Sequence, residues 1–557
     1  MKRQSFVGIF TLLLQVSSIL AVPFASQLPN LLDATLDDLR AGLDARLFTS
    51  EDLVLAYIAR INETNNQLHA VLQVNPDAID IARQLDIEHR AGRSRGPLHG
   101  IPILVKDVFA TADSMDTTAG SYALLGARVA SDSTAIAKLR QAGAIILGKT
   151  NMSEWCSART SIDLMPMGWS ARGGQTFGAY FPDQCPLGSS SGSAVASSIG
   201  LSWASLGFET TSSIITPAHA NNCVGLKPTV GLVSRHLVVP VANHKDTVGP
   251  ITRTVKDAAY MLSAIAGRDD EDDFTRKIPF DTLPNYLAAC KLDGLKGKRI
   301  GVPRGMEKLL FKEVTTDASW GDFWASLDVL RDAGAEVVPN VTIVEMEQEK
   351  YNQLPFAVFL PDILSSMSHY LSQLTVNPNN VHSIADLIKF THSSAMENYQ
   401  DYGTNLWDLA LENFPNGTDS PQFLQDLATA EKSARIHGIP GALSDNSLDA
   451  IIMPPTFGAV AASVAGTPVI TVPLGKTSSD WPVTVEYPSS PMNFSGPGQP
   501  FGIAFLGPAW SEFSLVGMAY AFEQVRGARM TIKPFIQPNT ELIDILRAKT
   551  SAVERKD

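Results

Sequence analysis

GSSSGSAVASSIGLSWASLGFETTSS, residues 188 to 213, is the stretch from which the fold of this chain is read. Its small-residue run, Ser193 to Ile199, suits a helix packed closely against a sheet. LSWASLGF, from Leu201 to Phe208, then reads as a strand leading into a second serine cluster. Upstream, IPILV at 101–105, STAIAKLRQAG at 133–143 and AIILG at 144–148 repeat the order strand, helix, strand. Such alternation predicts an α/β fold in layers, with helices covering a sheet. Lys298 to Pro303 and Leu448 to Met453 add further strands. Thr35 to Arg93 reads as amphipathic helices, with Thr49 or Ser50 as a cap before EDLVLAYIARI.

The same stretch carries chemistry. Ser189 and Ser213 lie 24 residues apart, and GIPILVKD places Lys106 at the end of an apolar segment. Two serines and a lysine can supply a nucleophile, a proton relay and a base without any histidine. The lysine can act as a base only when neutral, and a buried strand at Ile101 to Val105 would deliver it into an interior that lowers its pKa. GSSSG also fits the G-x-S-x-G elbow with Ser190 as nucleophile, but that motif needs a hydrophobic strand before it. FPDQCPL, with Pro182 and Pro186, is a poor strand. His219, His236 and His437 carry no supporting motif and read as ordinary polar or core residues.

Beyond these residues, GIPILVKDVF, TTAGSYALLGA, LRQAGAIILGKTNMSEW, GWSARGGQT, GSSSGSAVAS, GLKPTVGLVSR and DTVGPITRTVKDAAYML together resemble the amidase signature family of serine hydrolases. The resemblance is dense over about residues 99 to 270, with weaker echoes in LDAIIMP, AGTPVITVPLG and PFGIAFLGPAWSE. It implies a large twisted mixed β-sheet sandwiched by α-helices. It also implies Ser213 as nucleophile, Ser189 as a bridging serine after a cis peptide bond, and Lys106 as base, with Ser190 supporting them by hydrogen bonding. The backbone N–H groups of Thr210, Thr211, Ser212 and Ser213 would cradle the oxyanion. SEW, WSARGGQT, GSSSGS and VGLVSR look most like the peptide amidase branch, which removes the C-terminal amide of peptides. Many relatives read TDTGGSIR around the nucleophile, where this chain reads FETTSSII, so Ser212 stands in place of a glycine that such a turn uses for φ > 0 or close approach.

The expected activity is therefore hydrolysis of carbon–nitrogen amide bonds, of C-terminal peptide amides or other primary amides, by a secreted enzyme. Two alternatives share the resemblance: an A subunit of a glutamyl-tRNA amidotransferase, and a binding protein that has kept the fold without the chemistry. No CxxC, HExxH or EF-hand loop points to a metal, and no cofactor is implied.

A net charge of -13 and the lack of a basic run argue against nucleic acid as a partner. A peptide or small-molecule amide remains the expected partner, with the oligomeric state left open. Lys2 and Arg3 followed by the apolar stretch Phe6 to Leu20 and small Ala21 read as a signal peptide over residues 1–21, and no later segment is long and apolar enough for a span. Residues 22–557 then form one domain, with a largely helical insertion over about 348–446 that either walls the active-site entrance or forms a surface cap. Secretion makes Asn62, Asn340, Asn416 and Asn493 candidate glycan sites, whereas Asn151, inside GKTNMSEW, is expected bare. Cys156, Cys185, Cys223 and Cys290 are too few to staple a chain of 557 residues; they could form one bridge, and Cys223 reads as a buried small hydrophobe.

Overall fold

A computed structural model describes residues 28–161, 163–306, 317–347, 354–485 and 490–554. The expected signal peptide lies outside the described residues. Eleven strands join one mixed sheet: β1 (Val71–Val74), β2 (Pro102–Lys106), β3 (Ile145–Thr150), β4 (Ala204–Glu209), β5 (Val224–Lys227), β6 (Thr247–Thr252), β7 (Arg299–Pro303), β8 (Glu336–Val341), β9 (Ala450–Met453), β10 (Val469–Lys476) and β11 (Pro500–Leu506). Their order across the sheet is β1-β3-β2-β4-β6-β5-β10-β11-β9-β7-β8. β2 lies parallel between β3 and β4, whereas β4, β6, β5, β10, β11 and β9 pair antiparallel in turn.

Every residue of β2, β3 and β4 is buried, because helices cover both faces of this part of the sheet. That is why IPILV and AIILG read as continuous apolar runs rather than alternating ones. Helix Ser191–Ser198 is buried along its whole length. A β-carbon on its Gly192 would fall 2.2 Å from the Ala70 carbonyl and 2.6 Å from that of Asn151, so the close helix–sheet approach requires glycine. Thr49 caps helix Ser50–Leu68 with a capping box closed by Asp52.

The segment Thr35–Arg93 is not helical throughout. β1 interrupts it as an antiparallel edge strand on β3, and VLQV is too short to show a period of two. The described part of the insertion is helical, with its longest members Leu354–Ser372 and Pro421–His437. It is bolted to the signature core by Arg159, whose guanidinium reaches the Glu397 and Gly403 carbonyls at 2.9 and 2.8 Å. Edge-to-face packing of Trp155 on Trp407 and the close Trp169–Tyr402 ring pair reinforce the joint.

None of the four cysteines is joined in a disulfide, so the single bridge allowed for is absent. Cys223 is fully buried, as a small hydrophobe would be. Asn62, Asn340 and Asn416 are exposed, whereas Asn493 is half-buried and its amide donates to the Pro182 carbonyl at 3.0 Å. Asn151 is fully buried, with its amide donating to the Gly174 carbonyl and Thr176 Oγ1.

Candidate active site

Adjacent parallel strands bring the lysine and both serines to one end of the sheet. Lys106 is the last residue of β2, and β4 runs beside it into the turn that carries Ser213. Ser189 precedes the buried helix Ser191–Ser198, and the peptide bond Gly188–Ser189 is cis. The Ser190 N–H donates to the Ser213 carbonyl at 3.1 Å, tying the two serine clusters together.

Lys106 Nζ lies 2.7 Å from Ser189 Oγ, and Ser189 Oγ lies 2.9 Å from Ser213 Oγ. Lys106 also donates to the Phe208 carbonyl at 3.1 Å, and its side chain is fully buried. Burial is the main force on this amine and pushes its pKa down, against the pull of Glu209 and Asp246. Ser213, at 8% exposed, is the most accessible of the three. The outcome is a continuous line of polar atoms from a buried amine to a hydroxyl at the rim. Ser190 takes a different part: its hydroxyl donates to the Phe208 carbonyl at 3.1 Å and receives the Phe208 N–H at 3.3 Å, so it braces the end of β4. No histidine approaches it, and His219, His236 and His437 stand outside the line. His219 is buried, with burial pushing its pKa down to about 4.

Ser212 has φ +69°, the left-handed conformation for which a glycine would be the unstrained residue. The turn holds this conformation because Glu209 grips it from below. One Glu209 carboxylate oxygen accepts the N–H groups of Ile214 at 2.6 Å and Ile215 at 3.0 Å, and the carboxylate also attracts the Ser212 N–H. Among the described residues, the N–H groups of Thr210, Thr211 and Ser213 meet no acceptor, which leaves them available to an incoming oxyanion. Ser212 is the member of the expected cradle that points elsewhere.

Three neighbours were not singled out from the sequence. Glu209 closes β4, and Asp246, one residue before β6, accepts from Thr210 Oγ1 at 2.6 Å. Burial pushes the Asp246 carboxyl up to about 6. The Cys156 thiol contacts Lys106 and Ser189 from a turn in which Trp155, Cys156 and Ser157 all have positive φ. Acidic residues at the ends of apolar strands were the available signal for the first two. Nothing in SEWCS announces three left-handed residues in succession. Among the described residues no group of histidine, cysteine and carboxylate side chains could hold a metal ion.

A family model described as amidase matches residues 52–516. A protein of Arthroderma benhamiae, named as an amidase without a stated substrate, is 43% identical over 545 residues, covering 94% of this chain and 90% of its own length. The X-ray structure of native peptide amidase from Stenotrophomonas maltophilia shares 37% sequence identity at a TM-score of 0.80, covering 91% of this chain and 99% of its own. The A subunit of glutamyl-tRNA(Gln) amidotransferase from Chloroflexus aurantiacus is 39% identical over 308 residues, which is 54% of this chain and 58% of that subunit.

Proposed function

The chain belongs to the amidase family and is an amide-hydrolysing enzyme; from that premise we propose that it releases ammonia from the C-terminal amides of peptides through an acyl-enzyme on Ser213. The observation that carries the mechanism is the line Lys106–Ser189–Ser213, with contacts of 2.7 and 2.9 Å and a buried amine whose pKa is pushed down. With Lys106 neutral, the Ser213 hydroxyl donates to Ser189 Oγ while the Ser189 hydroxyl donates to Lys106 Nζ. Attack of Ser213 Oγ on the amide carbon then moves one proton along this line to the lysine. The negative charge forms on the carbonyl oxygen, which the free N–H groups of Thr210, Thr211 and Ser213 would receive. Collapse expels the amine, protonated by the same relay, and water repeats the steps on the acyl-enzyme.

The peptide-amide substrate is supported by the 37% identity to the Stenotrophomonas peptide amidase over 91% of this chain. Secretion is supported by the sequence of residues 1–21 and by three exposed sequons. Ammonia release from an N-blocked dipeptide amide tests the substrate class. It should exceed cleavage of the matching anilide and of the internal peptide bond; faster turnover of the anilide or of a small aliphatic amide would refute the peptide-amide reading while leaving amide hydrolysis intact.

A further inference from the structure

Among the described residues four lysines are buried at or near the same end of the sheet, and three of them are satisfied. Lys106 donates to Ser189 Oγ and the Phe208 carbonyl, Lys149 to the Phe109 carbonyl and Thr117 Oγ1, and Lys227 to the Thr467 and Pro228 carbonyls. Lys245 is only 3% exposed, yet its amine donates no hydrogen bond and makes no ion pair among the described residues. The amine itself is not fully enclosed. A buried ammonium is strongly unfavourable unless an acceptor meets it.

The backbone and the carboxylates around Lys245 are already engaged. Asp246 accepts Thr210 Oγ1 on one oxygen and the Val241 and Ala242 N–H groups on the other, at 2.8 and 2.9 Å. His244 uses both its N–H and Nδ1 on Asp362 Oδ2 at 2.9 and 3.0 Å, and the Asn243 N–H reaches Ser366 Oγ. Asp362 and Ser366 belong to insertion helix Leu354–Ser372. Lys245 is thus held between the nucleophile turn and the insertion, beside two carboxylates whose oxygens already have donors. The loop is fixed on both sides, and among its described residues the Lys245 amine is the buried side-chain donor that meets no acceptor, the Asn243 and His244 side chains being half-exposed.

We infer that Lys245 is a substrate-recognition residue that donates to a neutral carbonyl oxygen on the acyl side of the scissile amide. This rests on the reading that the substrate is a primary amide, because its leaving group is then NH₂ and any recognition beyond the scissile carbonyl must fall on the acyl side. A carbonyl oxygen fits better than a carboxylate, since Asp246 and Asp362 already place negative charge beside the amine. The carbonyl of an N-acylated residue, one peptide unit back from the amide, has this chemistry.

The test compares N-acetylphenylalanine amide with 3-phenylpropanamide, which keeps the ring and the primary amide but lacks the acetamido carbonyl. The wild-type enzyme should prefer the acetylated amide. Lys245→Met keeps the apolar stem and removes the donors, so it should raise KM for the acetylated amide at least tenfold, with kcat little changed, and collapse the preference. Lys245→Gln, which restores a neutral donor, should recover part of it. Equal losses on both amides in either folded variant, or a loss confined to kcat, would overturn the inference, as would a wild-type preference for an N-succinyl over an N-acetyl amide that Lys245→Met abolishes. A wild-type enzyme that turns over neither amide but cleaves anilides would instead overturn the primary-amide reading, and the inference with it.

Discussion

At the scale of single residues, Lys106 decides whether the relay works. Burial removes the hydration of the ammonium and pushes its pKa down, and Cys156, Glu209 and Asp246 offset only part of that loss. Activity should therefore rise with pH through a lysine pKa set below the ordinary 10.5 of the free side chain. The sign for stability follows from the same shift. Between the depressed folded value and the unfolded one the unfolded chain binds more protons, so stability climbs with pH in that window. Lys106→Met should cost several orders of magnitude in kcat while removing that part of the pH-dependence of the melting temperature. A rate profile that stays flat from about pH 5 to 9 would contradict the neutral-base account. Ser189 and Ser213 were legible here because spacing and flanking motifs fixed them together. Ser212 was legible as the place where glycine is wanted, and its φ of +69° bears this out. Lys245 was not, because nothing in NHKDTVG distinguishes a buried, unpaired lysine from a solvated one.

Among elements, the joint between the insertion and the signature core holds two carboxyls on one guanidinium. Arg159 Nη1 lies 2.5 Å from Glu154 and 3.5 Å from Glu397, and all three side chains are fully buried. Burial first, and then the charge of Glu397, push the Glu154 carboxyl up to about 8, so it is held protonated in the folded protein. A folded pKa above the unfolded one means that the pair's contribution is complete below about pH 4.5 and is lost as the pH rises toward 8. Thermal melts of the wild type should show that decline, and Glu154→Gln, which carries the neutral form at every pH, should flatten it. An unchanged slope in the variant would show that the pair is ionised throughout. The joint matters for the site because Glu154 leads directly into the left-handed residues Trp155 to Ser157, where Cys156 meets Lys106 and Ser189. Strand positions such as IPILV and AIILG were readable because continuous burial leaves an unbroken apolar run. β1 and the antiparallel half of the sheet were harder. The pairing of β5 (Val224–Lys227) with β10 (Val469–Lys476) joins the two ends of a long intervening stretch of chain, and no local pattern states that they will meet.

For the molecule as a whole, the proposal of secretion rests on the sequence of residues 1–21 and on three exposed sequons. Among the described residues no helix is long and apolar enough to cross a membrane. Expressed in a eukaryotic host, the mature protein should begin near Val22 and lose mass on glycosidase treatment. Glycans should map to Asn62, Asn340 or Asn416 rather than Asn151, which is buried, or Asn493, whose amide is already spent on Pro182. An intact Met1 in a cytosolic fraction would refute the secretion proposal without touching the chemistry.

That chemistry turns on which serine attacks. Fluorophosphonate labelling followed by peptide mapping identifies the serine directly. The account predicts a single adduct on Ser213, abolished by Ser213→Ala in a protein that still melts cooperatively, because only a small hydroxyl at 8% exposure has been removed. An adduct on Ser190, or labelling that survives in Ser213→Ala, would contradict it.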